Sequence, residues 1–285
     1  MDWKKKSRLF RVLAVIPFGT HIHFQMQKYL TREWPRKTSV LEQLLIAARR
    51  VYETTEGHRG RMLEIGAGRD LAVAVALRLM GVGHVTCVDV SRLAHIELVN
   101  FSAAYMANRL GVPAPIFKSW GDVDRFGISY RAPALLQGAG LEPSSFDCFF
   151  SIDTLEHIPL QDLRQVLLAA KGLVSDEGIF VHLIDYGDHY ARSDNGLSRF
   201  NFLTYSERDW LPFNSKLQYV NRVRHSQFLR LFEDIGMKRV RIEADVEPAE
   251  QYILENLDQQ FKDFQIQDLF TIRAMIVAAK EIDHE

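Results

Sequence analysis

Three histidines stand among carboxylates in the second half of the chain. They are His157, His182 and His189, near Asp153, Asp185 and Asp188. An imidazole titrates near pH 6.5, so it can take a proton from a hydroxyl at neutral pH. His189 is the first candidate for such a base and His157 the second, with Asp188 beside His189 to orient its ring. His182 lies inside the apolar run Gly178–Ile184 and reads more readily as a core histidine. Imidazole and carboxylate are also ligands for a divalent cation. The spacing of His182, Asp185, Asp188 and His189 fits no metal pattern, and no metal is expected. Downstream, Arg199–Ser206, Trp210 and Tyr219–His225 interleave aromatics with Asn and Arg. Such a stretch can line a sugar-like or anionic pocket, with Arg222 and Arg224 on a phosphate or carboxylate. Its plainer reading is a lid packed by its own aromatics.

A second group sits earlier. Glu64-Ile65-Gly66-Ala67-Gly68-Arg69-Asp70 follows an apolar strand and precedes a helix. Two glycines allow a tight turn and close approach of backbone to a ligand. Asp89 ends the next strand, 23 residues after Gly66, where a carboxylate can accept both hydroxyls of a ribose. Leu71 stands where a dinucleotide-binding loop would carry its third glycine, which disfavours a pyrophosphate.

The elements that must carry these residues alternate. Arg61–Ile65, His84–Asp89, Phe146–Ile152 and Gly178–Ile184 read as buried strands. Leu71–Met80, Ile96–Leu110, Leu160–Gly172 and Gln227–Gly236 read as helices between or after them. Two further strands fall near 238–244 and 271–278. The pattern predicts an α/β, doubly wound, Rossmann-like sheet, mainly parallel. No internal repeat or low-complexity segment interrupts it.

The first sixty residues differ. They hold twelve Lys/Arg against five Asp/Glu, whereas the whole chain of 285 residues carries a net charge of −1. Apolar spacing predicts a helix over 40–53, a second helical segment ending before Pro35, and a basic amphipathic start at 3–16. The expectation is a helical N-terminal extension over 1–60 and a main domain over 61–285, with an acceptor-side insertion at about 186–226. The basic start suits a peripheral membrane contact, or a helix docked on the domain with its lysines in water. Arg11 breaks the apolar centre that a secretory signal would need. The acidic remainder argues against a nucleic-acid partner. Cys87 and Cys148 lie in apolar strands and read as buried thiols, which points to the cytoplasm.

The segment resembles class I S-adenosylmethionine-dependent methyltransferases. Their first motif is an acidic residue before Gly-x-Gly, here Glu64, Gly66 and Gly68. A later strand begins Phe-Asp and leads to Glu-His, here Phe146-Asp147 and Glu156-His157. The resemblance covers about residues 61–280. It implies seven strands with an antiparallel last strand, and S-adenosyl-L-methionine as cofactor. It also implies roles: Glu64 orienting the amino group, Gly66, Ala67 and Gly68 lining the methionine moiety, Asp89 on the ribose, and Val90 against adenine. Arg131 and Ala132 stand where the adenine amino group would lie, and Ser151, Ile152 and Asp153 border the sulfonium. The chain is loosely similar to bacterial methyltransferases of surface-glycan biosynthesis. The expected activity is O-methylation of a small molecule or glycan precursor. The alternatives are N- or C-methylation of a metabolite, a non-catalytic nucleoside-binding scaffold, and a nicotinamide-dependent oxidoreductase.

Overall fold

The computed structural model describes residues 2–57 and 59–281. Three helices open the chain: α1 (Trp3–Val15), α2 (Gly19–Tyr29) and α3 (Thr38–Thr54). There follow β1 (Arg61–Ile65), α4 (Ala72–Leu79), β2 (His84–Val88), α5 (Ile96–Leu110), α6 (Trp120–Arg125) and β3 (Ile128–Arg131). The second half runs β4 (Phe146–Ile152), α7 (Leu160–Leu173), β5 (Val174–Asp185), α8 (Glu207–Trp210) and α9 (His225–Asp234). It ends with β6 (Met237–Val246), α10 (Gln251–Glu255), α11 (Ile266–Leu269) and β7 (Thr271–Lys280).

The seven strands form one sheet in the order β3-β2-β1-β4-β5-β7-β6. Strands β1 to β5 pair in parallel, while β7 runs antiparallel to both β5 and β6. The expected doubly wound sheet with an antiparallel last strand is therefore present. Its chirality and crossovers put the carboxyl ends of β1, β2, β4 and β5 along one edge, and the site lies there. Strand β1 is buried from Met62 to Ile65, as a central parallel strand covered on both faces must be. Helix α4 is buried continuously from Ala72 to Leu77, because α3 and α5 flank it. Phe150 and Val181 face this layer with Leu45, Val75 and Met106. Phe149 and Phe180 face the opposite layer with Leu163, Leu167, Phe228 and Phe232.

The expected boundary at residue 60 does not separate two cores. Leu41, Leu45, Ala48 and Val51 of α3 are fully buried and belong to the main core. Helices α1 and α2 alone act as a cap. Trp3 of α1 enters a third apolar cluster with Tyr190, Phe202, Trp210, Ile253 and Phe270. It stacks on Trp210 at 6.2 Å and tilts against Phe213 at 4.7 Å. The main-chain N–H of Trp3 donates to Asp194 at 3.1 Å. At the other end Phe24 of α2 stacks on His95 at 4.7 Å, and the Arg69 guanidinium covers it at 4.2 Å. The cap thus bridges the glycine loop and the insertion. That insertion shares its core with residues 247–270, the β6–β7 connection. The sequence patterns gave no sign of this pairing.

Candidate functional site

The glycine loop leaves β1 with Gly66 at φ +76° and Gly68 at φ +73°, both left-handed. A Cβ on Gly66 would stand 2.3 Å from Thr154 Oγ1, so only glycine fits between the loop and the turn after β4. Leu71 enters α4 at φ +48° and is fully buried, so a large side chain fills the place of a third glycine. Asp70 is buried and is held by Ser102 Oγ at 3.0 Å and by Arg36 Nε at 2.9 Å. Arg36 stacks on Trp34 and reaches Gly68, where a Cβ would lie 3.6 Å from its Nη2. The segment after α2 therefore closes over the loop.

Two carboxyl groups stand at the adjacent ends of β1 and β2, beside this loop. Glu64 is buried and accepts from Cys87 Sγ at 3.3 Å. Burial pushes its pKa up to about 8, and the nearby Asp89 adds to the rise. Asp89 caps β2, and its Oδ2 is buried without a hydrogen-bond partner among the described residues. Burial pushes Asp89 up to about 7, against the Tyr130 hydroxyl and the Gly68 N–H. A buried unpartnered carboxylate oxygen is costly unless a ligand meets it. Val90, the next residue, is 72% exposed and open to pack on a flat ligand.

Other expected contacts are rearranged. The Arg131 guanidinium donates to Ala139 O at 3.2 Å. Ala132 is buried beside it, and the Ala134 N–H binds Asp89 O at 2.9 Å. Ser151 is fully buried, and its hydroxyl bonds His182 Nδ1 at 2.8 Å on the α7 face of the sheet. Its side chain is closed to the cleft. Ile152 is buried on the opposite face. Asp153 follows at φ +47°, clasped by Arg273 Nη2 at 2.6 and 2.8 Å. His182 is a core residue, stacked on Phe232 at 5.5 Å, and burial drives its pKa down to about 3.

His157 and His189 do come together, with ring centroids 4.9 Å apart. His157 sits on a 3-10 turn, Leu155–His157, after β4. Asn221 fastens this turn, donating from Nδ2 to Leu155 O at 2.9 Å and Ile158 O at 2.8 Å. The ring's Nδ1 donates to Tyr219 O at 2.6 Å, which leaves Nε2 with a free lone pair. The ring is solvent-exposed where it lines a cavity, and desolvation by the protein packed around its base, opposed by the Tyr219 hydrogen bond, lowers its pKa. His189 is buried and lies beside Arg192, whose Nη2 donates to its Nε2 at 2.9 Å. Burial, then Arg192 and His157, hold His189 well below the usual histidine range. Both rings are uncharged at neutral pH.

Asp188 does not orient His189. It turns the other way, accepting from Tyr190 N at 2.9 Å and Asn201 Nδ2 at 3.1 Å. Asp185 stands nearer the ring, at 3.8 Å, and pairs with Arg192. The pair Arg222 and Arg224 is likewise structural. Arg222 donates to Phe202 O and Tyr205 O at 2.9 and 2.7 Å, and Arg224 to Tyr186 O at 3.1 Å. Both are buried, so they brace the core that the insertion shares with Trp3 and residues 247–270 and are not presented to a ligand.

The histidines form one wall of a cavity of about 830 Å³ under the cap. Lys6, Arg36, Lys37, Arg192 and Lys216 line it, against the single acid Glu33. Spacing alone hid this set, because α1, the α2–α3 link and the insertion meet only in three dimensions. It also hid Glu156. This residue is buried, and neither carboxylate oxygen has a hydrogen-bond partner among the described residues. Burial, with Asp153 next, raises it well above the usual carboxylate range.

No protein-family model matches the chain, and no curated protein matches it. Solved structures do. It is similar to a putative O-methyltransferase of Nostoc punctiforme at 14% identity and a TM-score of 0.50, over 90% of this chain and 59% of that one. It is similar to the YcgJ protein of Bacillus subtilis at 16% identity and a TM-score of 0.47, over 85% of this chain and 100% of that one. A magnesium protoporphyrin IX methyltransferase of Synechocystis, solved with S-adenosylhomocysteine bound, shares 10% identity at a TM-score of 0.45, over 86% and 83%. The order β3-β2-β1-β4-β5-β7-β6, with β7 antiparallel, gives this chain the Rossmann-like fold of class I S-adenosylmethionine-dependent methyltransferases.

Proposed function

We propose that the chain transfers a methyl group from S-adenosyl-L-methionine to a hydroxyl of a small molecule or glycan precursor. The unpartnered Oδ2 of Asp89, beside a Gly-x-Gly loop at adjacent strand ends, carries this reading. Two hydroxyls of a ribose would satisfy it. Gly66 and Gly68 supply a cradle without Cβ atoms, and Ala67 lies between them. Glu64 offers a buried carboxyl that ionises when an ammonium group approaches. The exposed Val90 gives adenine a surface, with the Arg131–Ala132 backbone at its edge. Ile152 ends β4 and Asp153 follows it, next in chain to the turn that carries His157. When bound, the donor supplies a methyl group on a positively charged sulfur.

On the acceptor side the residues position and deprotonate. His157, with its Nε2 free, and His189, whose Nε2 must first be released by Arg192, face one cavity as neutral rings, so they are the groups we assign to the acceptor hydroxyl. The lining of five cations and one acid favours an acceptor that bears phosphate or carboxylate groups. The test is a panel of sugars and small alcohols, each with and without a phosphate, scored by formation of S-adenosylhomocysteine. Turnover restricted to hydroxyl-bearing anionic compounds supports the reading. Turnover confined to amines or carbon acids would replace it with the N- or C-directed alternative.

The cap also suits a membrane surface. Val15 and Phe18 are 78% and 83% exposed, and Lys4, Lys5, Arg8 and Arg11 are exposed on the same stretch. Apolar and basic residues together match an anionic lipid surface. Among the described residues no helix is long and apolar enough to cross a membrane. Cys87 and Cys148 are buried free thiols, which supports a cytoplasmic setting.

A further inference from the structure

Glu156 has no role in the reading above, yet it is the carboxylate with the fewest partners in the active region. We propose that Glu156, His157 and His189 form a binding site for one divalent transition cation, which also takes an oxygen of the acceptor as ligand. One ligand atom from each of the three lies within 4.8 Å of the other two. The arrangement is prepared in three ways. First, the Asn221 clasp and its N–H on Glu156 O at 2.8 Å hold Glu156 and His157 on one rigid turn. Second, the bond from His157 Nδ1 to Tyr219 O fixes the ring and leaves Nε2 to bind, which is how ligating histidines are usually oriented. Third, the neighbouring acids already have cations: Asp153 has Arg273 and Asp185 has Arg192. Glu156 has none, and both of its oxygens are buried without a partner among the described residues.

Two imidazoles and one carboxylate suit zinc, cobalt, nickel or manganese better than magnesium, which prefers oxygen ligands throughout. Arg192 opposes the site, since it now donates to His189 Nε2. It keeps Asp185 as its partner when the cation takes the imidazole. Two of the three ligands, His157 and His189, line the cavity, so the cation would meet the acceptor from their side, with Glu156 behind them. A hydroxyl bound there loses its proton to cavity water more readily, because the cation stabilises the alkoxide. The imidazoles then act on the hydroxyl through the cation. This last point rests on the methyl-transfer reading, whereas the binding site itself does not.

The test uses the full chain, stripped with a chelator and free of donor. Co²⁺ is titrated and read by its visible absorption bands, and Zn²⁺ by competition with a coloured chelator. The expected result is one cation per chain at a micromolar dissociation constant. Glu156→Gln, His157→Ala and His189→Ala each weaken binding by about a hundredfold or more, while His21→Ala, on the exposed side of α2, binds as the parent does. Circular dichroism checks each fold, and the histidine variants decide the matter if Glu156→Gln does not fold. Absence of uptake below millimolar Co²⁺, or parental affinity in the two histidine variants, overturns the site. S-adenosylhomocysteine binding is measured on the same preparations. Intact donor binding without cobalt uptake overturns only the cation site, and the reverse overturns only the methyl-transfer reading.

Discussion

Burial favours the protonated form of both carboxyl groups at the ends of β1 and β2. Glu64 titrates at about 8 and Asp89 at about 7, both raised by burial. A bound donor places an ammonium group by the first and two hydroxyl donors by the second. Each contact favours the ionised carboxylate, so binding expels protons. The sign follows: affinity rises with pH until both groups are already ionised in the free protein. At pH 7 about nine tenths of Glu64 and about half of Asp89 hold a proton, so binding releases up to about 1.4 protons. The dissociation constant should tighten about fiftyfold from pH 6 to 7, about tenfold from 7 to 8, and about twofold from 8 to 9. These are upper bounds, reached when both groups ionise fully in the complex. The assay is calorimetric titration with S-adenosylhomocysteine in buffers of different ionisation enthalpy. The slope of apparent enthalpy against buffer enthalpy counts the protons directly. Glu64→Gln should remove about 0.9 proton at pH 7 and Asp89→Asn about 0.5, and these differences cancel titration of the ligand itself. A dissociation constant that changes less than threefold between pH 6 and 8, with no dependence on buffer, would refute the reasoning.

Three further outcomes are expected. Gly66→Ala should abolish donor binding in calorimetry while leaving the far-ultraviolet spectrum intact, since its Cβ meets Thr154 at 2.3 Å and its φ is +76°; micromolar binding by that variant would show that the loop and the turn after β4 move apart freely. His189→Ala should lower turnover by 10²–10⁴-fold, as loss of an acid–base group does, with the donor dissociation constant unchanged; full activity would take His189 out of the chemistry. Phe18→Asp combined with Arg8→Glu should release the chain from sedimenting vesicles that contain anionic lipid; equal sedimentation of parent and variant would remove the membrane contact.

Much of this fold is legible in the sequence, for identifiable reasons. Helix α5 spans Ile96–Leu110, the range its apolar spacing gives, because its buried positions recur every three or four residues. Strands β1, β2 and β4 stand out as continuous apolar runs because both faces of the sheet are covered. Strand β3 left no such mark: it has four residues, sits at the sheet edge, and only Ile128 is fully buried. The donor loop was readable because its geometry is local, set by glycines and the strand before them. The acceptor side is not local. Arg222 and Arg224 look like anion binders in sequence, yet their guanidinium groups satisfy backbone carbonyls that only the folded insertion presents. Asp188 neighbours His189 in sequence but faces Asn201, because its carboxylate caps the next turn. Glu156 was visible as part of the Glu-His pair. Its isolation from every partner emerges only when Asp153 and Asp185 find their arginines.

The most direct test of the central claim is a parallel calorimetric titration of the chain with S-adenosylmethionine, S-adenosylhomocysteine and NAD. The account predicts micromolar binding of the first two, weakened by Asp89→Ala, and none of NAD. Binding of NAD, or no binding of S-adenosylmethionine to a folded chain at pH 8, would contradict it.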